Sequence, residues 1–195
     1  MTGPKLFHPA DWGAAIEDVC NKAGNPLYKQ ATLTWSNPRT WDKGTEAPVT
    51  NEDDASIYAI VRNHGRSKTR DIIEYIGLTT DPEKRFRNHQ TARDIVEMRG
   101  TVGISFAPIS FIKGRNKSAN RKRALEEIEH ILIWALEPRH NQKKNYTLPG
   151  MGKNGGNAWH IINDGYRFAG KMPLELVFPW MLVKVGRNRS RKVKE

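Results

Sequence analysis

Cysteine occurs once in this chain, at Cys20, so neither an internal disulfide nor a paired-thiol metal site can be built within it. That usage fits a reducing compartment. Long apolar runs are missing too, and no stretch approaches the roughly 20 residues of a membrane-spanning helix. The first residues, Met1-Thr2-Gly3-Pro4-Lys5, lack the apolar core of a secretory signal. The expectation is a soluble, cytoplasmic protein with no membrane partner. Negative charge is scarce as well. Against 32 Lys and Arg stand 21 Asp and Glu, a net charge of +11 over 195 residues. That surplus is the electrostatic footprint of a protein that meets a polyanion. No basic amphipathic helix stands out to direct it to a membrane surface. The length suits one domain with elaborations, or a small core with two flanking extensions.

Residues 1–54 are polar and turn-rich, with Trp12, Tyr28, Trp35 and Trp41 spaced through them. Trp12, Ile16, Val19 and Cys20 recur at helical spacing and predict a short helix over 12–23. The acidic run Asn51-Glu52-Asp53-Asp54 marks a boundary. Ile57 to Arg62 and Ile72 to Gly77 read as two strands of an antiparallel hairpin, joined by a long loop carrying Arg66, Lys68 and Arg70. Thr80-Asp81-Pro82-Glu83 offers two helix starts, Asp81 as a cap before a first-turn proline, or Thr80 with Glu83 as a capping box. One helix is expected from there to about Met98. Val102 to Ile112 predicts a third strand, with Pro108 implying an edge or a bulge. Ser118 to Leu136 is the clearest helix, because Leu125, Ile128, Ile131, Leu132, Ala135 and Leu136 form one apolar arc. Pro138 stops it. Gly150 to Asn157 reads as a glycine-rich loop, Leu174 to Val185 as a strand broken by Pro179, and 187–195 as a basic tail. Trp35, Trp41 and Trp159 are expected in the core by default.

Across these elements runs an ordered set of residues. Ser56-Ile57-Tyr58 precedes Tyr75-Ile76-Gly77; Arg85 and His89 follow in the first long helix; Glu129 lies in the second, which leads into Pro138-Arg139-His140-Asn141. Taken singly, each has a plain explanation. A strand tyrosine usually packs, a helical arginine and histidine usually face water, and a lone glutamate usually finds a surface ion pair. Taken in this order, they resemble the GIY-YIG nuclease superfamily, and most of all its Type II restriction enzymes. The resemblance covers about residues 55–146. Ser56 stands where the family name has glycine, and the seventeen residues from Tyr58 to Tyr75 exceed the separation in compact members.

The resemblance implies an α+β fold with a small antiparallel three-stranded sheet flanked by helices. It divides the chain into an N-terminal extension (1–54), a nuclease core (55–146) and a C-terminal extension (147–195). It implies hydrolysis of phosphodiester bonds in double-stranded DNA with one Mg²⁺ or Mn²⁺ per site. Glu129 would hold the metal, since Mg²⁺ keeps most of its water and needs few carboxylates. Tyr58 would help deprotonate water, Arg85 would meet the phosphate, Tyr75 and His89 would orient the reactants, and Asn141 would pin the architecture. Arg85 and His89, four apart on one helix, would share a face. Phosphate contacts are expected from Arg62, Arg66, Lys68, Arg70, Arg87, Lys113, Arg115, Lys117 and Lys153, with Lys68 also a candidate for activating the nucleophile. A homodimer would serve double-strand cleavage. A homing or phage-type nuclease or nickase, and a catalytically silent DNA-binding module, are the alternatives. An HNH site from His140, Asn141 and His160 is disfavoured by the long helix before His140. Gly150-Met151-Gly152-Lys153 is not a phosphate-binding P-loop, since no Ser or Thr follows the lysine.

Overall fold

The computed structural model describes residues 16, 19–20, 24, 26–49, 56–64, 70–111, 118–142, 144–145, 147–149 and 157–179. Its strands are β1 (Lys29–Trp35), β2 (Arg39–Trp41), β3 (Ser56–Asn63), β4 (Ile72–Thr79), β5 (Thr101–Phe111), β6 (Trp159–Gly165) and β7 (Glu175–Phe178). Its α-helices are α1 (Pro82–Arg87), α2 (Gln90–Glu97) and α3 (Ser118–Leu136). The class is α+β, as expected, but the sheet is larger than three strands. The antiparallel trio β4-β3-β5 continues through β1, β6 and β7, and β2 pairs with β5 as well. Within that sheet β1 runs parallel to β6, from Lys29 opposite Trp159 to Trp35 opposite Gly165. No helix among the described residues is long and apolar enough to cross a membrane.

The added strands come from the segments flanking the expected core. In Lys29–Trp35 the residues Ala31, Leu33 and Trp35 point to one side and are buried, an alternation of period two. Trp159 and Ile161 of β6 continue the same layer. The sequence reading assigns neither segment as a strand, because each run is short and carries only two or three apolar residues on its inner face. Most of the 12–23 stretch, and the residues after Pro179, lie outside the described residues.

Strand alternation divides the core in two. Ile57, Ala59 and Val61 of β3 join Leu125, Ile128, Ile131 and Leu132 of α3 on one face. Tyr58 and Ile60 join Phe86, Ile95 and Val96 of α1 and α2 on the other, with Trp41, Ile104 and Phe106. The three tryptophans Trp35, Trp41 and Trp159 are core residues. Pro108 lies in a strand paired on both sides, not at a sheet edge. β3 ends opposite it and β1 takes over from Ile109.

Three local details set up the site. Asp81 is the true N-cap of α1, its carboxylate accepting from Lys84 N at 3.0 Å, with Pro82 in the first turn. The expected single helix breaks at Asn88-His89, and His89 caps α2 by accepting from Ala92 N on Nδ1 at 3.3 Å. The β3–β4 register slips between Ile60 and Val61, leaving Glu74 as an extra residue on β4.

That bulge turns Glu74 into the interior. Arg62 follows it, 2.7 Å from Nη2 to Oε1, with the two side chains 7% and 0% exposed. Arg62 also donates to Arg99 O at 2.9 Å. Its expected role as a phosphate contact is therefore corrected, because its guanidinium is committed inside the protein. Glu74 Oε2 has no hydrogen-bond partner among the described residues, and His140 Nε2 stands 3.8 Å away. Removing one member of a buried pair strands the other's charge, which costs about 3–5 kcal/mol. Arg62→Met should lower unfolding free energy by that order. The Arg62→Met, Glu74→Leu double variant should recover most of it, as read from urea denaturation.

Candidate active site

Tyr58 sits in the middle of β3, opposite Gly77 of β4. Its ring is fully buried and lies across that glycine. A Cβ on residue 77 would fall 2.4 Å from both Cζ and Oη of Tyr58. The glycine of Tyr75-Ile76-Gly77 is thus required by close approach, and its backbone conformation is one any residue could adopt. Phe86 meets the Tyr58 ring edge-on at 4.9 Å between centroids, and Tyr75 lies nearly parallel at 6.0 Å.

Three expected residues converge on the Tyr58 side chain. Arg85 Nε donates to Tyr58 Oη at 3.2 Å, while its Nη2 donates to Tyr75 Oη at 3.4 Å. His89 Nε2 lies 2.9 Å from the same Tyr58 oxygen. The network assigns the tautomer. Nδ1 accepts from Ala92 N, so the proton of the neutral ring is on Nε2 and is donated to Tyr58. Arg85 and His89 therefore meet at one oxygen although they do not share a helix face; the break at Asn88-His89 swings the imidazole inward as a cap.

The electrostatics pull in two directions. Burial, helped by the neighbouring Tyr75 and by the negative charge of Glu129, pushes the Tyr58 phenol well above its ordinary range, while Arg85 works the other way. Burial, then the Arg85 cation, pushes His89 down to about 4. At neutral pH Tyr58 is a phenol whose oxygen receives two N–H donors, so its own proton points away from both.

Glu129 comes from α3. Its carboxylate is 12% exposed, and Lys144 Nζ donates to Oε2. It is near enough to Tyr58 for its charge to oppose phenol ionisation. Neighbouring Glu127 is tied to β6 and to its own helix. Its Oε2 accepts from Trp159 Nε1 at 2.8 Å and Asn157 Nδ2 at 2.7 Å, and its Oε1 from Arg123 Nε at 3.1 Å. Burial alone would raise its carboxyl, but these donors outweigh that and hold it below the usual range.

Asn141 stands apart from the Tyr58 cluster. Its Oδ1 accepts from Ile76 N at 2.8 Å and its Nδ2 donates to Ile76 O at 2.7 Å. With His140 N donating to Glu74 O at 3.0 Å, the segment after α3 closes the outer edge of β4. Of the expected phosphate contacts, Arg70 and Arg87 are exposed, and Arg87 also lines a cavity of about 600 Å³ with Trp41 and Phe86. Arg66, Lys68, Lys113, Arg115, Lys117 and Lys153 lie outside the described residues.

No group of three or more His, Cys, Asp or Glu that could hold a metal ion comes together among the described residues. A divalent ion would rely on Glu129, whose carboxylate already holds a cation in the form of the Lys144 ammonium, so its surroundings suit positive charge. Sequence reading missed two residues here. Gly77 was visible in the motif, but only as part of a string. Lys144 follows α3 in a loop, where no periodicity marks it.

Comparisons with protein-family models, with curated proteins and with solved structures return no match for this chain.

Gly77→Ala should force the Tyr58 ring aside, costing about 1–3 kcal/mol as overpacking does. In a Tyr58→Ala background the same change should cost almost nothing, a coupling that a double-mutant cycle by chemical denaturation will read.

His89 has its own pH signature. Its folded pKa of about 4 lies below the unfolded value near 6.5, so the unfolded chain binds the extra proton. The stabilisation, on the order of 3 kcal/mol, is fully present above about pH 6.5 and is lost as pH falls toward 4. Urea midpoints measured between pH 7.5 and 4.5 should fall more steeply in the wild type than in His89→Gln.

Proposed function

We propose that this protein is a metal-dependent endonuclease of the GIY-YIG type, hydrolysing phosphodiester bonds in double-stranded DNA, with a Type II restriction enzyme the favoured form. The observation that carries the proposal is the single phenol oxygen of Tyr58 with Arg85 and His89 both donating to it, and with Glu129 within electrostatic reach. A strand tyrosine kept only for packing has no need of two N–H donors on its hydroxyl, one of them a guanidinium. The donors would stabilise the oxygen as it takes on negative charge, as preorganised N–H groups do at any developing oxyanion.

Within that reading each residue has a definite task. Tyr58 first gives up its own proton to solvent, with Arg85 and His89 stabilising the phenolate by hydrogen bonding, and the phenolate then takes the proton of the attacking water. Arg85, exposed on one side and linked to Tyr75 on the other, is placed to meet a phosphoryl oxygen as well. Glu129 would hold the divalent ion, which would supply positive charge for the phosphate and for the leaving oxygen. Burial holds the phenol protonated in the free protein, so Tyr58 becomes a competent base only when further positive charge reaches the site. Asn141 keeps β4, and with it Tyr75 and Gly77, in register. The net charge of +11 supplies attraction to the polyanionic substrate. One site cuts one strand, so double-strand cleavage would use two copies related by a two-fold axis.

Supercoiled plasmid incubated with Mg²⁺ should be nicked or linearised, and EDTA should stop it. Tyr58→Phe, Arg85→Lys and Glu129→Gln should each lower the cleavage rate about a hundredfold or more while leaving gel-shift binding near wild type. Cutting by Glu129→Gln at the wild-type rate would remove the metal assignment. Binding with no cutting under any divalent ion would make the chain a DNA-binding module instead.

A further inference from the structure

We infer that Lys144 is a resident counter-cation at Glu129, occupying in the metal-free protein the carboxylate that a divalent ion must take over. The inference rests on the reading of Glu129 as a metal ligand and adds a regulatory element to it.

Three observations support it. The first is the contact itself. Lys144 Nζ donates to Glu129 Oε2, and among the described residues it is the hydrogen-bond partner of that carboxylate. The second is that Lys144 is delivered by a held segment. Asn141, three residues before it, is bonded to Ile76 through both side-chain polar atoms. Asn145, immediately after it, donates from Nδ2 to Pro138 O at 3.0 Å. The ammonium is therefore brought to Glu129 by the same turn that closes the β4 edge. The third is asymmetry of exposure. The Lys144 side chain is 37% exposed against 12% for Glu129. The carboxylate is anchored in the protein, while the lysine has a solvent route and a flexible four-carbon stem.

Exchange follows from charge. Glu129 carries one negative charge, and Arg85 already places a fixed cation at the neighbouring Tyr58. Adding a dication while the ammonium remains would set three positive charges against one carboxylate in a partly desolvated site. The mobile partner leaves. Until then Lys144 keeps the Glu129 carboxylate from being half-buried and unpaired, a state that costs stability. Metal affinity is thereby set by a competition internal to the chain, and the site responds to divalent ion only above the level needed to displace the lysine.

Mn²⁺ binding to the full-length protein, read by loss of the free-ion EPR signal, tests this without any turnover. Lys144→Met should bind Mn²⁺ about two- to fivefold more tightly than wild type, the range a partly exposed ion pair can supply. Its metal-free form should melt at a lower temperature, and Mn²⁺ should raise that temperature by more than it does in wild type. Lys144→Arg, which keeps a cation on Glu129 and guards against a folding defect in the first variant, should bind Mn²⁺ no more tightly than wild type. Glu129→Gln should abolish binding. Unchanged or weaker Mn²⁺ affinity in Lys144→Met, with Glu129→Gln still abolishing binding, overturns the counter-cation role and leaves the metal site standing. Absent binding in the wild type, or equal binding in Glu129→Gln, overturns both.

Discussion

A side chain that is not there governs this site. Because residue 77 has no Cβ, the Tyr58 ring can lie flat over β4 and present its oxygen to the helix side of the sheet. Any larger residue would meet the ring at 2.4 Å, well inside contact distance, and the ring would have to leave. The consequences spread outward from that oxygen. Arg85 and His89 reach it from two short helices, and the turn between those helices is held by His89 acting as a cap. Phe86 fills the space beneath and meets the ring edge-on. The aromatic cluster is at once a packed core and the support of a polar centre, which is how a fully buried phenol can be oriented to a single geometry.

The second constraint is the outer edge of β4. An open edge exposes unpaired N–H and C=O groups. Here Asn141 and His140 pair with Ile76 and Glu74, so the end of α3 is tied to the strand that carries Tyr75 and Gly77. The tie couples the helix bearing Glu129 to the strands bearing the tyrosines. Beneath it, the Glu74 bulge and its Arg62 partner keep the register that sets Tyr75 opposite Ile60. A slip of one residue in β4 would turn Tyr75 to the α3 face and away from Tyr58. Positive charge that surface reading assigned to DNA contact is, at Arg62, invested in that register.

The flanking strands broaden the scaffold. β1 and β6, drawn from opposite ends of the chain, pair in parallel and extend the layer begun by β3, β4 and β5. Glu127 links this extension to α3 through Trp159 and Asn157. The helix that carries Glu129 is thereby gripped on two sides, by β4 through the Asn141 tie and by β6 through Glu127. Neighbouring glutamates on one helix thus have different partners, Glu127 holding Trp159 and Asn157 and Glu129 pairing with Lys144.

Much of this was legible in the order of residues. Strong periodic segments declared themselves: the span of α3 was read residue for residue from its apolar arc and its proline stop, and β3, β4 and β5 were placed to within about two residues. The residues gathered at Tyr58, namely Tyr75, Arg85 and His89, were named from the resemblance that their order along the chain carries, and the single helix face expected for Arg85 and His89 is replaced by a break between two helices. What sequence could not supply were matters of long-range partnership. Whether an arginine faces solvent or a buried glutamate depends on a bulge that only strand pairing creates, so Arg62 was misplaced. Whether a glutamate is free depends on residues thirty positions away, as Asn157 and Trp159 do for Glu127. The weakly alternating β1 and β6 gain their apolar face only by lying beside each other. Sequence determined the elements and the identity of the polar residues, because propensity and periodicity act over a few residues. The tertiary structure decided which of those residues meet, which are buried in pairs, and which cation sits on Glu129, because burial and pairing are properties of neighbours that the chain brings together only when it folds.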